Sequence, residues 1–308
     1  MLAVAIIEEA IEMRKSGVEK PILIFNPHAD SLNLIVEYDF EIELSNRNMV
    51  EALLDFVEAE KKTIKVHLKL DTGMNRLGFK KTDFSYVTPL LNHPNIEVKA
   101  IFSHLVASDD PSEDQFTLQQ LNLFDSYYQQ ITNGLEDKPQ RHILNTSGAT
   151  RFPDHQYDYV RIGLGLYGLD LRNSNQVRLS KVHSLKSYIV QIKEVGANET
   201  IGYGNKLKLK NAARIAIVGI GYADGLMRIA GSKNYQVVIK GQKAALIGNV
   251  CMDLCMVDIS DLDSVNEGDE VLIFGKNHPI EALSAACNTI PYEILTRVAP
   301  RVKRVYIQ

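Results

Sequence analysis

The densest chemistry in the chain lies in Lys69–Phe79, KLDTGMNRLGF. Two cations, Lys69 and Arg76, stand there with an acid, Asp71, and a hydroxyl, Thr72. The alternating apolar run before them, Ile64–Leu70, reads as a strand. In a barrel of parallel strands, the C-terminal strand ends carry the chemistry. Asp71 and Arg76 on such a loop can hold a small charged substrate. An ordinary βα turn with a surface ion pair would use the same residues. His104 follows another strand end, ahead of Ser108, Asp109 and Asp110, and is a candidate for an active-site wall. Tyr203 in TIGYGN and Tyr222 in GIGYADG sit between glycines. Glycine flanks let a backbone approach a ligand closely. The competing reading is a turn with an exposed aromatic.

Gly163, Gly165 and Gly168 match the spaced-glycine pattern of dinucleotide sites. That pattern needs a helix N-terminus for the pyrophosphate. The residues that follow, LDLRNSNQ, do not read as a helix, so a nicotinamide dinucleotide is not expected. The same glycines, placed after a barrel strand, can cradle a single phosphate. Cys251, His104 and the nearby acids lack metal-ligand spacing, and no metal is expected. No Gly-x-Ser-x-Gly elbow marks a serine nucleophile.

These residues need a scaffold, and the first half of the chain supplies alternating strands and helices. Strands are predicted at 2–7, 21–25, 41–45, 64–70, 97–104, 142–147 and 159–166. Helices are predicted at 8–16, 29–38, 48–61, 84–91 and 114–132. Alternation of this kind means parallel strands with crossover helices. Seven strands fall one short of a (β/α)8 barrel. From about Asp170 helical periodicity disappears. Strands are predicted at 177–195, 213–218, 235–239, 244–259 and 270–274, with a short helix at 280–287 and a last segment at 292–307. The expected plan is therefore an α/β barrel over 1–169 and a mostly antiparallel β domain over 170–308.

Composition narrows the class. A chain of 308 residues, 45% hydrophobic, can bury a large core. A net charge of −4 without a basic run argues against wholesale nucleic-acid binding. No apolar run approaches the roughly 18 residues of a membrane span. The opening MLAVAIIEEAIEM lacks a secretory signal. Cys251 and Cys255, on one predicted strand, would lie about 13 Å apart, too far for a disulfide. With only three cysteines, a reducing, cytoplasmic setting is expected.

Together these pieces resemble the alanine racemases, pyridoxal-phosphate enzymes of fold type III. The resemblance runs through KLDTGMNRLGF, SHLVASDD, NTSGATRFP, VRIGLGLYG, TIGYGN, GIGYADGLMR, GNVCMD and PYEILTRV. It implies PLP-dependent interconversion of L- and D-alanine for peptidoglycan, in a homodimer with shared active sites. Tyr203 looks like one catalytic base, reaching into the partner's barrel. Arg161 looks like the arginine on the cofactor's pyridine nitrogen. His104 looks like the histidine linking Arg161 to Tyr203. Thr146, Gly163, Leu164 and Tyr292 look like the phosphate cradle, with threonine in place of the commoner serine. Arg76 and the backbone at Met252 look like the substrate-carboxylate contacts. Tyr222 and Asp253 look like entryway and site-wall residues. Lys69 occupies the position that is often carbamylated.

The chemistry suits these residue types. Racemisation removes a proton from one face of Cα and returns one to the other, so it needs two opposed bases. A free tyrosine titrates near pH 10 and needs nearby positive charge to act as a base. Two other readings share the pattern: a PLP-dependent decarboxylase of the same fold, and a non-catalytic or incomplete PLP-binding homologue. The second has a specific motive. The family's cofactor lysine stands in a K-x-[ND]-A-Y-G-H-G stretch after the first barrel strand, and no such stretch occurs here. The opening residues resemble the second strand and its helix. The expectation is a fragment of a longer racemase, such as a fusion to a cell-wall ligase. As given it would be inactive, and an extension of roughly 40 residues would restore it.

Overall fold

Apolar residues recur along the first half at spacings that give each strand a helix to cover it. The structure, a computed structural model, describes residues 1–169, 179–232 and 235–307. Two compact units emerge, Met1–Leu179 and Ser180–Gln308. The boundary expected after residue 169, and nearly all of LDLRNSNQ, fall outside the described residues.

The first unit runs β1 (Leu2–Val4), α1 (Ile7–Lys15), β2 (Ile22–Ile24), α2 (Leu32–Glu37), β3 (Glu41–Leu44), α3 (Arg47–Glu60), β4 (Ile64–Lys69), α4 (Phe84–Val87), β5 (Ile96–Phe102), α5 (Asp114–Ile131), β6 (Gln140–His142) and α6 (Thr146–Arg151). The six strands form one parallel sheet in chain order, an open half-barrel. Helix α3 shows why the elements form where they do. Asn46 caps it by accepting the Met49 amide at 2.9 Å. Its buried residues Met49, Val50, Leu53 and Val57 fall on one stripe. It stops at Lys61 in the left-handed conformation, φ 57°.

Strands β3 and β4 alternate in an unusual way. Ile42, Leu44, Val66 and Leu68 join the core beneath the helices. Glu41, Glu43, His67 and Lys69 point to the opposite face, and they too are buried, at 3, 1, 0 and 7% exposure. A polar set excluded from water on both sides of a sheet has to be internally satisfied.

The expected seventh strand does not form. Tyr159 makes a single bridge to His142, and Leu164–Tyr167 coil into a 3-10 turn. The glycines explain it: Gly163 sits at φ −114°, ψ −80°, and Gly168 is left-handed at φ 73°. Neither backbone angle pair continues a strand.

The second unit runs β7 (Leu185–Val195), β8 (Thr200–Ile201), β9 (Leu207–Lys208), β10 (Ala213–Val218), β11 (Gln236–Ile239), β12 (Gln242–Ile247), β13 (Cys255–Asp258), β14 (Glu270–Phe274), α7 (Ile280–Ala286) and α8 (Pro291–Arg297). Strands β10-β13-β12-β11-β14-β7 close into an antiparallel barrel, and β8 and β9 form a separate ribbon. Closure leaves no edge to template a foreign strand. Lys240 and Gly241, both with positive φ, turn β11 into β12, as a two-residue hairpin loop requires.

The single strand expected over 244–259 is two strands, β12 and β13. Gly248 leaves the first in the left-handed region at φ 66°, and the loop tightens where the Cys251 amide meets the Leu254 carbonyl at 2.8 Å. Cys251 therefore lies in a loop rather than on an extended strand with Cys255. All three cysteines are free thiols.

One glycine ties the fold to the strand ends. Phe79 returns to pair with Leu70, and Gly78 enters that bridge at φ 120°. A Cβ there would stand 2.8 Å from the Asp71 amide nitrogen. Gly78→Ala is expected to cost at least about 1–3 kcal/mol, read as a lower urea midpoint, because backbone rather than a flexible side chain must move.

Candidate active site

Phe102, the last residue of β5, is the ring around which the strand ends assemble. Lys69 Nζ and the Arg161 guanidinium both sit 5.4 Å from its centroid. His142 stacks on it at 4.6 Å. Cations are attracted to an aromatic face, more so away from water.

Arg161 is held by four protein groups. Nη1 donates to His142 Nδ1 at 2.6 Å. Nη2 donates to the Ser103 carbonyl at 2.7 Å, the Ile143 carbonyl at 3.0 Å and His104 Nδ1 at 3.0 Å. Burial pulls its guanidinium down to about 10, partly opposed by Glu43, and it stays charged at neutral pH. Lys69 Nζ donates to both carboxylate oxygens of Glu43 at 3.1 Å. Burial draws Lys69 below its ordinary value against the pull of Glu43, and Arg76 and Arg161 add to the lowering. Burial raises Glu43, opposed by Lys69.

His104 is pulled down to about 3, by burial first and then by Arg161, Arg76 and Lys69. With Nδ1 accepting from Arg161, its proton sits on Nε2. His142 is lowered for the same leading reason, with Arg161 and His67 contributing. The strand ends therefore present neutral imidazoles among fixed cations, a set suited to an anionic ligand.

The loop after β4 departs from the expected charge pair. Asp71 is buried, and its Oδ1 accepts the Gly73 and Asn75 amides, both at 3.0 Å. Among the described residues it forms no pair with Arg76. Asp71 shapes the loop, and Arg76 is exposed. Thr146, at the start of α6, accepts the Gly163 amide at 3.1 Å and the Gly165 amide at 3.4 Å. Lys69, Arg76, His104, Thr146, Arg161, Gly163 and Leu164 thus all belong to the first unit; Lys69 and Arg161 converge on Phe102, and His104 bonds Arg161.

In the second unit the loop 248–254 gathers both glycine-flanked tyrosines. Asn249 Nδ2 donates to the Tyr203 carbonyl at 2.9 Å. The Tyr222 amide donates to Cys251 O at 3.0 Å, and the Ala223 amide to Met252 O at 2.9 Å. Gly202 and Gly204 have φ 74° and 80° and lift the Tyr203 side chain to 70% exposure. Asp253 pairs with Arg301 at 2.6 Å, and Arg301 also pairs with Asp224. Tyr292 stands on α8, partly exposed.

Sequence reasoning missed Glu41, Glu43, His67, His142 and Phe102. The signal was present: FEIEL places two acids in phase with HLK of the next strand.

An open parallel α/β sheet with cations at its strand ends, followed by a closed antiparallel β barrel, is the plan of an amino-acid racemase. The sequence model of the alanine racemase N-terminal domain matches residues 1–171, and that of its C-terminal domain residues 182–306. Alanine racemase 1 of Clostridium acetobutylicum is 36% identical, over all of this chain and 82% of its own length. The alanine racemase of Methanococcus maripaludis is 34% identical, over 99% of this chain and 84% of its own. The solved alanine racemase of Clostridium difficile 630 superposes with a TM-score of 0.89 at 30% identity, covering 99% of this chain and 81% of that one. That of Bacillus anthracis, with bound L-Ala-P, gives 0.90 at 27%, covering 100% and 81%. The chain belongs to the alanine racemase family, whose members are isomerases. The decarboxylase and non-catalytic readings are not favoured.

Two outcomes test the site's electrostatics. Glu43→Gln leaves a buried ammonium uncompensated and should cost about 3–5 kcal/mol. Adding Lys69→Met should recover much of that loss in the urea midpoint. Second, His104 binds its proton less tightly folded than unfolded. Its stabilisation is full above 6.5 and is lost as pH falls toward 3. The stability–pH profile of His104→Gln should be flatter over that window.

Proposed function

We propose that the protein interconverts L- and D-alanine with pyridoxal 5′-phosphate, serving the D-alanine of peptidoglycan in the cytoplasm. The observation that carries this reading is similarity to alanine racemases along the whole chain, together with an assembled set of strand-end cations.

The residues present fit the cofactor. Arg161 Nε has no acceptor among the described residues, so it can donate to a pyridine nitrogen. Arginine keeps its proton, so that nitrogen stays unprotonated and the ring a weaker electron sink. The Leu164 amide likewise has no acceptor among the described residues and can meet a phosphate beside the Thr146 hydroxyl. Bound, the cofactor supplies the electron withdrawal that acidifies the Cα–H of an amino acid.

This chain's residues do the rest. Arg76 and the Met252 backbone orient the substrate carboxylate. Tyr222 and Asp253 line the approach. Tyr203 removes or returns the proton on one face, with His104 linking it to Arg161. Residues 1–169 bind the cofactor, and 170–308 present Tyr203 to the partner subunit of a head-to-tail homodimer. Lys69 is the carbamylation candidate, and its Glu43 partner would have to give way. No K-x-[ND]-A-Y-G-H-G stretch occurs in the 308 residues, so no lysine among them is assigned as the opposing base. Lys69 is the one lysine among the buried polar residues described, and it is committed to Glu43.

The test is D-alanine formation from L-alanine, read with D-amino-acid oxidase. With a lysine-bearing segment of roughly 40 residues supplied, turnover is expected, and Tyr203→Phe should lower it about 10²–10⁴-fold. Mixing that variant with Arg161-defective subunits should recover activity through hybrid dimers. Borohydride reduction of the 308-residue chain with PLP should label no lysine. A labelled lysine with racemisation would identify a base within the chain, and no D-alanine with the segment supplied would refute the function.

A further inference from the structure

The two buried glutamates of β3 do different work. Glu43 answers Lys69 directly. Glu41 lies farther from the strand ends, yet it connects to Arg161 through two imidazoles. His67 Nε2 is 2.7 Å from Glu41 Oε2. His67 Nδ1 is 3.0 Å from His142 Nε2. His142 Nδ1 is 2.6 Å from Arg161 Nη1. Glu41, His67 and His142 are 3, 0 and 2% exposed, so no bulk water intervenes in the exchange of partners.

The direction of every hydrogen bond in this chain is forced from one end. A guanidinium has donors and no acceptor. His142 Nδ1 must therefore offer a lone pair to Arg161. A neutral imidazole carries one proton, so that of His142 is on Nε2 and is donated to His67 Nδ1. His67 Nδ1 is then also an acceptor, and the His67 proton is on Nε2. It points at Glu41, which must accept. Reversing either ring would set two donors or two lone pairs face to face in a buried site, a costly mismatch.

We propose that Glu41 and His67 are positioning residues for Arg161, acting through His142 as a one-way hydrogen-bond chain that locks the guanidinium's orientation. The chain occupies Nη1, while Ser103, Ile143 and His104 occupy Nη2. Nε has no acceptor among the described residues and is left to a ligand. Glu41 contributes the terminal acceptor and a negative charge opposite the positive end, with two neutral rings between. The lock is a feature of strands β3, β4 and β6 and does not touch substrate. Its relevance to catalysis rests on the reading of Arg161 as the cofactor's ring partner.

The test uses the full chain uniformly labelled with 15N-histidine and without added cofactor, so that it is independent of racemase activity. Long-range 1H–15N spectra at neutral pH distinguish protonated from unprotonated ring nitrogens. His67 and His142 are expected as neutral Nε2–H tautomers with unprotonated Nδ1. Either ring found as the Nδ1–H tautomer, or doubly protonated, overturns the proposal in the wild-type protein alone. In Glu41→Gln the amide oxygen can still accept from His67 Nε2 while the carboxylate charge is lost, so both rings should keep their Nε2–H tautomers, held by Arg161. The His142 signals should nevertheless shift together with those of His67. A change confined to His67 would mean that the lock ends there and that Glu41 does not reach Arg161. Failure to bind PLP with both tautomers as expected would instead count against the functional reading.

Discussion

Bringing positive charge out of water is the constraint on which the first unit depends. Lys69 and Arg161 lie against one aromatic ring, close to each other and to Arg76. Like charges in a poorly solvated pocket repel, and each loses hydration. The sheet answers from a neighbouring strand. Glu43 neutralises Lys69 at contact distance and also favours the charged form of Arg161, to which Glu41 is joined through two imidazoles. The remaining charge, Arg76, is exposed. Strand ends arranged in this way balance their buried charge internally and leave one cation in solvent.

The same arithmetic explains the low basicity of His104 and His142. Each ring is asked to accept from an arginine, and desolvation already disfavours its charged form. Neutral imidazoles act here as hydrogen-bonding spacers rather than as acids. In the second unit the logic is different. Tyr203 and Tyr222 are placed by backbone contacts to the loop 248–254, and their side chains remain in solvent. Position is supplied by the scaffold, and electrostatics must come from whatever the tyrosines meet.

Much of this was legible in the residues. KLDTGMNRLGF announced a strand end with cations, and β4 ends there. The change of texture near Asp170 announced an antiparallel partner fold, and a closed barrel follows. Three things were hidden. Alternation in FEIEL reads as a strand half exposed to water, since periodicity reports faces and not what covers them. The acids proved to be buried because the polar face of that strand lines the interior of a half-barrel. The run 159–166 looks apolar enough for a strand, but its glycines take backbone angles no strand uses. Asp71 looked like a ligand contact because composition cannot show that loop amides have already claimed its carboxylate.

The diagonal pairing of β3 with β4 has a consequence beyond chemistry. In register, Glu41 lies opposite Lys65 and Glu43 opposite His67. Each glutamate instead bonds the residue two places further on, His67 and Lys69. A slip of β3 by one residue would turn Ile42 and Leu44 toward the interior and strand a histidine and a lysine without partners. A slip by two would leave one of them unanswered. Reactive residues are usually thought of as guests that a fold tolerates. Here they proofread the sheet: misaligned strands are penalised by the loss of the same buried pairs that support the strand ends, so a molecule that folds has already checked that support.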